Sequence, residues 1–169
     1  MSRGLGDVYK RQDKRESNLL DGYAHFYDTY ECSDNKFIAV GSIEPQFYSE
    51  LLDKLEIDDK RFQDQHNKDL WPELKEIMTL KIKSKSRSEW VDIFSDSDAC
   101  VSPVLSMEEA QQHPHNLERE AFINIDGFNQ PNASPRYSKT RPKIKHNAKD
   151  VGVDLDDVCK EFNLSKDAF

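Results

Sequence analysis

The sequence predicts an α+β fold, and three observations carry that expectation. Two strand-like, aromatic-rich runs lie between residues 24 and 43 with turn residues between them. A series of amphipathic helical stretches follows. After Gly127 the chain turns polar and proline-rich, with too few apolar residues to pack on itself. The expected organisation is a short foreign beginning at 1–12, a small α+β domain over 13–128, and an extended strap with a terminal helix over 129–169.

The first run, Ala24 to Glu31, reads as a strand. Ser33, Asp34 and Asn35 supply turn chemistry, and Lys36 to Ile43 reads as a second, more buried strand, which makes a β-hairpin. Glu44-Pro45 opens a helix, because proline's missing N–H has no partner at the first helical position anyway. Phe47, Leu51, Leu52 and Leu55 continue it as one apolar stripe. A second helix is expected from Asp69 to Ile82. A third opens at Ser86 and Glu89, which have capping-box spacing before Trp90, Ile93 and Phe94. Ala99 to Leu105 is a short apolar run that Pro103 restricts to a sheet edge or strand end. Ser106 and Glu109 repeat the capping-box spacing and open a short helix. Ala121 to Ile125 reads as one more strand, and Leu155 to Phe162 as a closing helix. The strap between them, with Pro131, Pro135 and Pro142, is expected to lie along a surface outside this chain and to be mobile without it.

Composition narrows the function classes. Of the 169 residues, 36% are hydrophobic and 33% charged, which suits a folded chain on the polar side. A net charge of −8 argues against broad binding to nucleic acid or to an anionic membrane, both of which need a basic face. No run of about 18 apolar residues is present to span a bilayer. Cys32, Cys100 and Cys159 are odd in number and far apart, which fits free thiols in a reducing compartment.

Residues 2–12 resemble, codon for codon, the translation of a transposase adapter used in sequencing libraries, so residues 1–12 are read as an artefact. Without them 21 basic residues face 31 acidic ones, a net of −10.

Several constellations have a bland reading beside a sharp one. His113 and His115 flank a proline, but lack the further Cys, His or carboxylate spacing of a zinc site, and no metal is expected. His25, His66 and His146 stand alone in sequence. Leu80 to Arg87 is a basic run, either a solvated helix end or a patch for an anionic partner such as a phosphate. Asn132 and Asn163 match the glycosylation pattern, which without a signal peptide reads as chance. Glu44 sits where a strand gives way to a helix. Its carboxylate either caps the helix and meets its dipole or is presented at a rim for chemistry.

Residues Asn18 to Leu52, and above all AVGSIEPQFY at Ala39 to Tyr48, resemble the start of the small domain of the alpha-methylacyl-CoA racemases in the family III CoA-transferase superfamily. The resemblance continues through Trp71-Pro72, EWVDIF, DACVSPVL, HPHNLERE, the strap ASPRYSKTRP and the end helix GVDLDDVCKEFNLS. It implies the small domain of that fold, with the strap and helix returning to a nucleotide-fold domain that this chain lacks. It further implies racemisation at C2 of a 2-methylacyl-CoA thioester, with acyl-CoA as substrate and no cofactor. The His and Asp that move the proton belong to the missing domain, so the chain alone is expected to be inactive. Glu44 aligns with the glutamate that pairs with the catalytic His, and Leu20, Tyr27 and Ile43 with positions near the acyl pocket wall. The resemblance also implies a homodimer and a peroxisomal or mitochondrial enzyme, although no targeting signal is visible and the family's peroxisomal C-terminal tripeptide is absent. Two departures stand out: Tyr23 replaces the second glycine of a Gly-Gly pair, and His25 stands where proline is common. The rival readings are a CoA-transferase of the same superfamily, against which AVGSIEPQFY speaks, and a non-enzymatic acidic interaction domain.

Overall fold

The computed structural model describes residues 15–144, 146–148, 150–152 and 154–165, so the adapter-like residues 1–12 lie outside the described residues. Strand β1, Tyr27–Glu31, pairs antiparallel with β2, Phe37–Gly41, in the register Tyr27 to Gly41 and Glu31 to Phe37. Asn35 turns the hairpin in the left-handed region at φ 59°, a conformation that asparagine tolerates better than most residues. β1 begins three residues later than the aromatic pattern suggests. The amide of Tyr27 donates to the carbonyl of Ala24 at 3.0 Å, so 24–26 form a turn, although Ala24, His25 and Phe26 are all buried.

Helix α1, Pro45–Lys54, starts on its proline and buries Tyr48 and Leu51. A 3-10 turn, Lys60–Gln63, lies between it and α2, Trp71–Ile82. Trp71, Leu74, Met78 and Ile82 are the buried face of α2, at the three- and four-residue spacing of one helical stripe. Helix α3, Arg87–Phe94, opens on a complete capping box between Ser86 and Glu89. Strand β3, Val101–Val104, pairs with β2, which makes β2 the centre of a three-stranded sheet and leaves Pro103 on an edge strand.

The chain divides into two compact units, one ending at Leu105 and one beginning at Ser106. The first holds the core: Trp71, Trp90, Phe26, Phe62, Ile38, Leu51, Leu55, Leu74, Met78 and Ile82 are almost fully removed from solvent. Both tryptophans bury their ring N–H with a partner. Trp71 donates to the carbonyl of Gln65 at 2.7 Å and Trp90 to that of Ile82 at 2.8 Å.

The second unit contains α4, Met107–Gln112, with the Ser106–Glu109 capping box, and α5, Pro114–Glu118. Strands β4, Phe122–Ile125, and β5, Phe128–Pro131, form a hairpin. Helix α6, Leu155–Phe162, spans the residues that its pattern predicts. β5 replaces the start of the expected strap. Asp126 and Gly127 both take positive φ, 52° and 85°, as a two-residue hairpin turn requires. Asn132 donates to the carbonyl of Glu120 at 2.9 Å, and the Arg136 guanidinium reaches the carbonyls of Arg119 and Glu120, so the strap is tied down as far as residue 136. Among this unit's described residues only Cys159 is buried, while Met107, Leu117, Phe128, Tyr137 and Phe162 are exposed.

His25 is fully buried. Its Nε2 lies 2.7 Å from the Tyr48 hydroxyl, which donates onward to the carbonyl of Phe62 at 3.1 Å. The hydroxyl has one proton, so Nε2 must carry the hydrogen and donate to Tyr48, which leaves Nδ1 as a bare acceptor. Nδ1 has no partner among the described residues. Burial, and then the neighbouring His66, pull the His25 pKa down from 6.5 to about 4. The unfolded chain therefore takes up a proton near pH 6.5 that the folded chain refuses until about pH 4, and stability falls as pH drops through that interval. At pH 5 the loss from this residue is about 2 kcal/mol. Thermal unfolding at pH 7 and pH 5 should show it. His25→Gln should flatten the change between those two pH values, and an unchanged pH slope in that variant would assign the loss elsewhere.

Candidate functional site

The junction between β2 and α1 is fastened from three sides. Gly41 donates its amide to the carbonyl of Cys100 at 2.9 Å, and Ser42 its amide to that of Phe26 at 3.0 Å. The buried Ser42 hydroxyl donates to the carbonyl of Ala99 at 2.5 Å. From the loop after the 3-10 turn, the Gln65 amide donates to the carbonyls of Ser42 and Ile43 at 3.1 and 3.0 Å. Glu44 follows directly, in extended backbone at φ −73° and ψ 141°, and its carbonyl accepts the amide of Tyr48 at 2.9 Å as the first turn of α1.

The Glu44 side chain takes no part in this fastening. It is exposed and makes no capping hydrogen bond to α1. The hydrogen-bonded half of the capping reading is thus absent, and what remains to the helix is the field of a carboxylate at its N-terminus. Cys100 stands nearby in the left-handed region at φ 54°. Burial, and then the charges of Glu44, Asp98 and Glu50, push its thiol above the usual range. That setting holds the sulfur as a thiol and argues against a reactive thiolate. An acidic rim of this kind suits a cationic partner.

The other predicted residues divide. Ile43 is half-buried on the same junction. Tyr27 is half-buried beside it, opposite Gly41 in the ladder. A side-chain carbon built at Gly41 would meet the Tyr27 ring at 3.8 Å. Leu20 lies in the segment before β1, 58% exposed. No hydrogen bond joins it to Tyr27, Ile43 or Glu44 among the described residues. A separate groove of about 650 Å³ runs past Gly22, Tyr23, Pro72, Lys75, Thr79 and Leu80, and it includes none of the four predicted residues.

Gln65 and Ser42 were not singled out by the sequence. A glutamine whose partners lie 22 and 23 residues away leaves no local pattern. The basic run does resolve. Lys81 pairs with Glu56 at 3.0 Å and Lys83 with Glu31 at 2.9 Å, while Lys85 stands over the Trp90 ring at 5.6 Å. Arg87 donates to the carbonyl of Val104 at 2.5 Å. Each cation thus has a partner within the fold, which favours the bland reading over an anion patch. His113 is the hinge residue shared by α4 and α5. Among the described residues, no group of three or more His, Cys, Asp or Glu side chains could hold a metal ion, and no helix is long and apolar enough to cross a membrane.

Comparison with known proteins identifies the family of the chain. The chain is 40% identical over 156 residues to the alpha-methylacyl-CoA racemase of Mus musculus and 38% identical over the same length to that of Homo sapiens. In both cases the match covers 90% of this chain and 41% of the relative, so the chain spans about two-fifths of their length. A CaiB/baiF CoA-transferase family protein of Caenorhabditis elegans is 31% identical over 121 residues, covering 70% of this chain and 33% of the relative. Among solved structures, the orthorhombic form of Rv3272 from Mycobacterium tuberculosis superposes with a TM-score of 0.62 over 74% of this chain and 36% of its own. At 17% identity that likeness shows the fold alone. Residues 3–154 match the family described as CoA-transferase family III. By that match, and by the identity to the two racemases, the chain belongs to CoA-transferase family III.

Proposed function

We propose that this chain is the C-terminal part of an acyl-CoA racemase that epimerises C2 of 2-methylacyl-CoA thioesters by deprotonation and reprotonation. The observation that carries the reading is the gap in similarity within the family: 38–40% identity over 90% of the chain to two racemases, against 31% over 70% to a CoA-transferase family protein.

The chemistry sets the requirements. The C2–H of a thioester is weakly acidic, so one group must remove the proton on one face and another return it on the opposite face, with the enolate oxygen stabilised between. In this reading a His and an Asp outside this chain hold those roles. Glu44 faces the imidazole, fixes its tautomer and stabilises its protonated form, as a carboxylate does for other catalytic histidines. Tyr27 and Ile43, with Leu20 from the preceding segment, wall the acyl chain. Acyl-CoA is the substrate and no cofactor takes part. The working form is a homodimer in the peroxisome or mitochondrion.

The test uses the full-length protein in D₂O with a single enantiomer of a 2-methylacyl-CoA and no second acid. Deuterium should enter C2 and the two configurations should equilibrate. In a parallel reaction with an added carboxylic acid, transfer of CoA to that acid with C2 left unexchanged would make the protein a transferase instead.

A further inference from the structure

We infer that Gln65 is a positioning residue for Glu44: its side-chain amide holds the strand-to-helix junction that aims the carboxylate, an inference that rests on the role proposed for Glu44. Successive backbone carbonyls at the end of a strand lose their sheet partners, and buried carbonyls require donors. Those of Ser42 and Ile43 both accept from the Gln65 side-chain nitrogen, at 3.1 and 3.0 Å. A primary amide is the neutral side-chain group that offers two hydrogens from one nitrogen. A glutamate would place its oxygens against two carbonyl oxygens, and an apolar residue would leave both unpaired.

Gln65 is itself immobilised. It is 7% exposed, and its backbone carbonyl accepts the Trp71 ring N–H at 2.7 Å. Trp71 packs edge-on against Phe26, with ring centres 5.6 Å apart, and the carbonyl of Phe26 holds the amide of Ser42. The clamp closes on itself through the core. Meanwhile the Glu44 side chain, next along the chain, has no capping bond to fix it. Its direction therefore depends on the backbone beneath it, and of the bonds that fasten that backbone the two from Gln65 are those nearest Glu44 along the chain.

A double-mutant cycle in the full-length protein tests this, reading kcat and KM for C2 exchange of a 2-methylacyl-CoA in D₂O. Gln65→Met keeps the side-chain length and removes both donors. It should lower kcat about 10-fold, since small misplacements of a catalytic group cost that much or more, and leave KM close to wild type. In a Glu44→Gln background the same change should have little further effect on kcat, because the group it positions has already lost its charge. An equal kcat loss in both backgrounds would overturn the proposal and make Gln65 a general structural residue, as would a Gln65→Met enzyme with normal kcat. Should Gln65→Met not fold, Gln65→Asn, which keeps the amide and shortens its reach by one methylene, enters the same cycle under the same criteria. If Glu44→Gln alone leaves kcat unchanged, the Glu44 assignment fails first and the proposal falls with it.

Discussion

The isolated chain is expected to leave the C2 proton of a 2-methylacyl-CoA unexchanged in D₂O. Racemisation in this chemistry needs an acid/base group on each face of the enolate, and removing one such group costs about 10²–10⁴ in rate. The histidines of the first unit are His25, which is buried and bonded to Tyr48, and His66, which is exposed and stacked edge-on to Phe26 at 5.8 Å. Neither forms a hydrogen bond or ion pair with Glu44 among the described residues. The chain also spans only about 41% of the length of the racemases it matches. Deuterium incorporation by the folded, purified chain above the buffer-only rate would show that the bases lie within it and would sink this reading.

What was legible in the sequence follows from how local each signal is. Pro45 starts α1 where it stands, and the two capping boxes form at Ser86–Glu89 and Ser106–Glu109, because such devices are complete within four residues. Asn35 marks its hairpin for the same reason. The β4–β5 hairpin is masked in the sequence because Phe128–Pro131 is polar and ends in proline, although Asp126-Gly127 is a strong hairpin signal. His25 lies in a run of aromatic residues that reads as a strand, and nothing in that run tells a buried imidazole from an exposed one. Its burial is decided by Phe26, Tyr48 and Phe62, whose rings surround it at 5.1–5.6 Å. The partners of Lys81 and Lys83 are likewise 25 and 52 residues distant. At the candidate site the residue type and place of Glu44 were readable, whereas the clamp beneath it depends on a loop that crosses back over the junction.

Under the proposed racemase reading, Glu44→Gln in the full-length protein is expected to lower kcat on the order of 10²-fold, with a smaller change in KM. The amide keeps the shape and can still hydrogen-bond an imidazole, but it brings no negative charge to the imidazolium that forms as the proton leaves C2. The interaction strengthens along the reaction, so its loss appears in turnover more than in binding. A purely structural Glu44 predicts the reverse. Its side chain makes no capping bond to α1, so the most the helix loses is the dipole interaction, roughly 0.3–1 kcal/mol at an exposed N-terminus. The unfolding midpoint would then drop slightly while turnover held. Measuring both quantities on one preparation separates the two roles, and normal kcat with a lowered midpoint would remove Glu44 from the chemistry.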